Sequence, residues 1–169
     1  MPDLGRGETA LSDTAASKIF KVNDVINVDE EHGLVFGFAI VCKVWNEAAK
    51  AFEDYYDLNV DTDGVHKGQP VPENIPEDSM FKAWVDASAS GSHLPGNDMH
   101  AGPDVGSYYS LFPLTTDIAK TLGIETKRTG LICAYKPTPE VLAKFKDGTY
   151  TGFSIEGARI ATEEVPDAA

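Results

Sequence analysis

Leu34-Val35-Phe36-Gly37-Phe38-Ala39-Ile40-Val41-Cys42-Lys43-Val44 is the stretch on which the fold turns. A strand with one wet face alternates apolar and polar residues. This one is apolar almost throughout, so it reads as a strand covered on both faces. Such a strand is buried on both faces, so the rest of the chain must supply its cover.

The elements that supply it can be found by working outward. Before it, Glu30-Glu31-His32-Gly33 reads as a turn, and residues 19–29 alternate loosely enough for another strand. Far downstream, Thr129–Tyr135 repeats the apolar character through Leu131-Ile132-Cys133-Ala134. Val105–Leu111 reads as a further strand. Pro76-Glu77-Asp78 opens a helix to about Ala89, with Met80, Phe81, Trp84, Val85 and Ser88 at helical spacing. A short helix follows Thr115 or Thr116 and ends at Gly123. Thr138-Pro139 starts a third helix to Lys146, closed by Asp147-Gly148. Trp45–Tyr56 is two-valued: either a short helix from Asn46, or an irregular insertion ending in a strand from Asp54 to Leu58. Residues 59–72 and 90–103 read as loops. The order strand, strand, helix, strand, short helix, strand, helix, strand predicts an α+β fold. Its sheet should be mixed and largely antiparallel, or a small β-barrel, with a few helices around it.

The chain has 169 residues, 42% of them apolar, enough for one domain. We assign it to 19–161, between a flexible polar arm (1–18) and a polar tail (162–169). The formal charge of −13 argues against a nucleic-acid surface, which needs clustered cations. Cys42 and Cys133 each lie in an apolar run and read as two buried thiols, with one disulfide as the alternative. Asp61, Asp63 and Gly64 superficially suggest a calcium loop, but Pro72 stands where the twelfth-position Glu is required. No metal, nucleotide or other cofactor motif is present. No apolar run is long enough to span a membrane and no signal core is seen, so a soluble, non-secreted protein is expected.

The chemistry centres on Asp147-Gly148-Thr149-Tyr150-Thr151-Gly152-Phe153-Ser154-Ile155-Glu156-Gly157. Thr149–Ile155 reads as a short strand. Alone, Ser154 is a small residue in a tight strand. As a nucleophile it would need a base to take its proton. His32 and His66 read as surface residues. His93 and His100 share the loop before the Val105 strand, where a scaffold can hold a side chain rigidly; read alone, either is a turn residue. The segment is not the nucleophile elbow of α/β-hydrolases, since no helix follows. Glu156 shares a face with Ser154 by alternation. It is open to three roles: orienting the base, binding substrate, or serving as an edge charge.

His100 with Gly106-Ser-Tyr-Tyr-Ser-Leu-Phe-Pro-Leu-Thr, then Thr129-Gly-Leu-Ile, then Phe145-Lys-Asp-Gly-Thr-Tyr-Thr-Gly-Phe-Ser-Ile-Glu-Gly resembles the XkdF-like phage serine proteases. These are relatives of the phage prohead (capsid maturation) proteases and, more distantly, of herpesvirus assemblin. The likeness covers about residues 33–161 and is most specific at its end. It implies an endopeptidase that processes phage scaffold and capsid proteins during prohead maturation. It would act in the host cytoplasm, inside the assembling prohead, and a homo-oligomer would fit. Ser154 would be the nucleophile and His100 the general base. Backbone N–H groups near Ser154, with Arg159, would serve the oxyanion. In the related proteases a third residue comes from a strand well after the serine; here fifteen residues follow it. Glu156, Asp98, Asp104, His93 and the tail acids Glu163, Glu164 and Asp167 are the substitutes. The alternative is a catalytically inactive protease fold kept as a structural or binding component of the particle.

Overall fold

The computed structural model describes residues 25–60, 66–89, 94–98 and 101–153. Its elements, in order, are β1 (Val25–Asp29), β2 (Leu34–Asn46), β3 (Ala51–Asp54), β4 (Asp57–Val60), β5 (Pro70–Glu73), α1 (Glu77–Ala89), β6 (Leu94–Asp98), β7 (Ala101–Leu114), α2 (Thr116–Leu122), β8 (Arg128–Pro137) and α3 (Pro139–Lys146). The class is α+β. The main sheet runs β1-β2-β8-β7-β6, with β3 also on β2; β4 and β5 pair separately. The described pairings are antiparallel. Among the described residues the sheet is an open path, so the small barrel offered as one outcome is not observed.

The opening stretch becomes β2, a long interior strand between β1 and β8. Val35 and Phe38 through Cys42 are all buried. β8 runs beside it from Val35↔Tyr135 to Val44↔Arg128. Along β8, side chains alternate: Leu131, Cys133 and Tyr135 point to one face and Ile132 to the other. On the first face lie Met80 of α1 and Val141 and Phe145 of α3. On the second, Ala119 of α2 packs with Phe38, Val41 and Leu114. Helices on both sides are why β2 tolerates no polar alternation.

β2 also bulges twice against β8. There Gly130 passes the Ile40 carbonyl so closely that a Cβ would collide with it, at φ +151°. Only glycine allows that approach.

Local chemistry explains most helix ends. Thr115 accepts a hydrogen bond from the Ile118 N–H, and Gly123 closes α2 in the left-handed region (φ 67°). Glu77, in the first turn of α1, accepts from both the Thr116 N–H (2.8 Å) and the Thr116 hydroxyl (3.0 Å). One carboxylate thus ties the starts of two helices together. Pro139 opens α3 as expected, although Thr138 makes no side-chain capping bond.

Four expectations change. Residues 45–54 form a β-hairpin, neither the short helix nor the irregular insertion with a strand at Asp54–Leu58, since the strands fall at Ala51–Asp54 and Asp57–Val60; Asn46 accepts from the Ala48 and Ala49 N–H groups in its turn. The two loops at 59–72 and 90–103 contain strand: β4 and β5 in one, β6 and the start of β7 in the other. Thr149–Phe153, the described part of the Ser154 strand, carries no strand. Phe81 and Val85 are 36% and 43% exposed, so of the apolar side of α1 only Met80 is buried. The thiols Cys42 and Cys133 are both buried and form no disulfide, which removes the disulfide alternative.

Candidate functional site

The chain reaches the Ser154 segment through a built turn. Asp147 follows α3 and its carboxylate accepts the Thr149 N–H at 2.8 Å. The bonds from Thr149 hold this carboxyl below its usual range. Gly148 supplies φ +80°, and the Tyr150 N–H returns to the Lys144 carbonyl. The Lys144 ammonium donates to the Tyr150 hydroxyl (3.0 Å) and lies 4.9 Å from that ring's centre. The Thr151 carbonyl accepts from the Val25 N–H of β1.

Phe153 is then fixed by three aromatic neighbours. Its ring stacks on Phe145 at 5.5 Å and meets Tyr135 edge-on at 6.1 Å; Tyr108 lies 6.3 Å away. Phe145 comes from α3, Tyr135 from β8 and Tyr108 from β7. The residue before Ser154 therefore sits where a helix and two strands meet. Ser154 itself lies outside the described residues, as do Glu156, Arg159 and the tail acids Glu163, Glu164 and Asp167.

The second arm is the β6–β7 hairpin. Asp98 pairs with Ala101, and His100 falls between them, outside the described residues; His93 does too. Further down, Gly96 pairs with Gly106. This pair of glycines makes a notch filled by Tyr135. A Cβ on Gly96 would stand 2.5 Å from Tyr135 Cε2, and one on Gly106 would stand 2.7 Å from its hydroxyl oxygen. Tyr135 is 4% exposed, and its ring lies 4.8 Å from that of Tyr108. Burial, then nearby Cys133 and Tyr135, pushes the Tyr108 phenol well above its ordinary range.

Of the candidate third residues, Asp104 is exposed on β7 opposite Asn97. Asp98 ends β6 at the base of the turn. Asp61 and Asp63 lie outside the described residues. His32 is exposed and bonds Asp29 at 2.9 Å, and His66 is exposed as expected. Among the described residues, no group of three or more His, Cys, Asp or Glu is arranged to hold a metal. Also among them, no helix is long and apolar enough to cross a membrane.

Sequence reasoning passed over Tyr135, Tyr108, Gly96 and Gly106. The available signal was two glycines, Gly96 and Gly106, ten residues apart around the His100 loop and matched by no turn of their own.

A separate shallow groove of about 390 Å³ lies between α1 and α2, across the end of β7. Phe81, Trp84, Phe112, Ile118 and Leu122 line it. Trp84 packs on the core and donates its indole N–H to the Leu111 carbonyl at 3.2 Å. β6 pairs with β7 only as far as Tyr108, so among the described residues this end of β7 has a strand on one side alone.

No family model, curated protein or solved structure matches this chain.

Proposed function

We propose that the protein is a serine endopeptidase that processes phage scaffold and capsid proteins during prohead maturation. Ser154 attacks the scissile carbonyl; His100 takes its proton and returns it to the leaving amine. The observation that carries this reading is the shared support of the two arms. Phe153, one residue before Ser154, and Gly96, at the base of the hairpin bearing His100, both rest on the Tyr135 ring. Asp98 is two residues, about 7 Å, beyond Gly96 at strand spacing. Two segments that the resemblance names for one reaction thus converge on one side chain, though they are some fifty residues apart in the chain.

A second reading, a protease fold retained as a non-catalytic component of the particle, is favoured by Asp104. It is exposed, whereas an acid that orients a histidine works from a shielded position.

One experiment separates them. The purified chain and its Ser154→Ala variant are incubated with scaffold and capsid protein, and with a fluorophosphonate probe. The peptidase reading expects cleavage and labelling by the wild type, with the rate falling about 10⁴- to 10⁶-fold in the variant. Equal processing by the variant would sink it. A wild type that neither cleaves nor labels would leave the structural reading.

A further inference from the structure

We infer that the groove between α1 and α2 is a docking surface for an amphipathic helix of another protein, one whose outer face is rich in lysine or arginine. The inference does not depend on the peptidase reading.

The groove is built, not merely left open. At the start of both helices Glu77 of α1 accepts from the Thr116 N–H and hydroxyl of α2, which fixes the two against each other. Phe112 and Pro113, at the end of β7, line it between them. Trp84 forms a wall held by its indole bond to the Leu111 carbonyl. A partner therefore meets a surface already in shape and loses little in ordering it. The walls are also uncovered. Phe81, Phe112 and Leu122 are exposed, Leu122 by 59%. Val85, one turn along from Phe81, and Ile124, just past Leu122, are exposed as well. Contiguous apolar surface rimmed by charge marks an interaction site.

The chemistry of the groove selects among occupants. A small molecule is ordinarily enclosed over most of its surface; this groove is shallow and suits a longer segment. An added strand needs backbone partners along β7. There the Leu111 carbonyl is taken by Trp84, and Pro113 has no N–H. Side chains must then carry the recognition, which is how a helix lies in a groove, through apolar anchors three and four residues apart. Charge sets the partner's outer face. From Glu77 to Ala89 and from Thr116 to Glu125 the flanks carry the carboxylates of Glu77, Asp78, Asp86, Asp117 and Glu125 against the ammonium groups of Lys82 and Lys120. Lys82 is already paired with Asp78 at 2.7 Å. Asp117 itself lines the groove. The chain's net charge of −13 adds to the pull on cations. A second copy would bring the same carboxylates to the same place and be repelled.

The test uses Trp45→Phe, which leaves Trp84 as the one indole of the chain. Three synthetic peptides of equal length are titrated into it: Leu and Lys at helical spacing, Leu and Glu at the same spacing, and the Leu/Lys composition scrambled so that no apolar face forms. The Leu/Lys helix should bind saturably, one to one, shift Trp84 emission to the blue, and weaken as salt is raised. Leu122→Glu and, separately, Phe112→Ser should each weaken it about tenfold or more. Both side chains are exposed, so neither substitution empties the core. Asp117→Asn should weaken it by less, and should flatten its salt dependence. The other two peptides should leave Trp84 unchanged. The inference is overturned if the Leu/Lys helix does not shift Trp84, if either other peptide shifts it equally, or if neither groove variant weakens it. It is overturned too if the chain alone sediments as a dimer that Leu122→Glu dissociates, because a second copy is then the occupant.

Discussion

Cys42 and Tyr108 show how a single buried acid writes itself into stability. Cys42 has no exposed surface. Desolvation chiefly, with Glu77 nearby, pushes its thiol up from 9.0 to about 12. Burial likewise raises the Tyr108 phenol. Each therefore keeps its proton in the folded chain at a pH where the unfolded chain has lost it. Their contribution is fully present below about pH 9, the unfolded thiol's range, and is lost as pH rises towards 12. The urea midpoint should accordingly hold level between pH 7 and 8.5 and fall steadily above 9; Cys42→Ala should flatten part of that fall. A midpoint unchanged to pH 11 would contradict the assignment. At this scale the sequence spoke unevenly. The two apolar runs announced buried thiols. Ser154 and His100 were legible only through the resemblance, and both lie outside the described residues. Tyr135 was not legible at all, because its contacts exist only when Gly96 and Gly106 pair across β6 and β7 and present their bare backbones to it.

Among the elements, α1 is held by less than its sequence suggests. Five residues at helical spacing imply a broad apolar face, yet Met80 alone is buried, against Ala39, Ile40, Cys42, Leu131 and Cys133. Met80→Ala should therefore cost about 2–5 kcal/mol, the usual range for emptying such a site. Phe81→Ala, one position on but at the groove, should cost clearly less. Chemical denaturation of the two variants checks the ranking, and equal losses would refute it. Helices were easy to read because their ends carry local chemistry: Thr115, Gly123 and Pro139 act within a few residues. The β2–β3 hairpin was harder. Asn46-Glu-Ala-Ala-Lys favours helix by propensity, but propensity is a weak prior against pairing. Here Lys43 finds Asp54 at 2.7 Å, Asn46 finds Glu53 at 2.9 Å, and Trp45 meets Phe52 edge-on. The excursion that follows is tied back by Asn74, which donates to the carbonyls of Cys42 and Tyr55. No composition rule reveals a bond between residues 32 apart. The strands inside the expected loops were hidden for a related reason: Pro95, Gly96, Gly102 and Pro103 are turn-formers in isolation, and an existing sheet edge recruits them anyway.

For the molecule as a whole, the class was legible from the alternation of apolar runs and helical spacing, but the strand order was not. Sheet order is decided by which long-range partners fit, and here β8 inserts between β2 and β7. It carries the ladders that join β2 to β7. A chain stopped at Lys127 would keep β1 to β7 and both earlier helices, yet lose the ladders to β2 and β7 together. It should show no cooperative urea transition by circular dichroism; a sharp transition near the full chain's midpoint would refute the central place given to β8.

That insertion has a consequence in time. During synthesis β2, the most apolar strand, is made early, and its chief partner follows roughly 80 residues later. At about 5–20 residues per second, β2 waits on the order of 4–16 s after leaving the ribosome before β8 exists to cover it. For that interval the most adhesive stretch of the chain is kept from other copies chiefly by the acidic residues around it. Glu30 and Glu31 on one side and Glu47, Glu53 and Asp54 on the other make a charged bracket around β2 while the sheet is still incomplete.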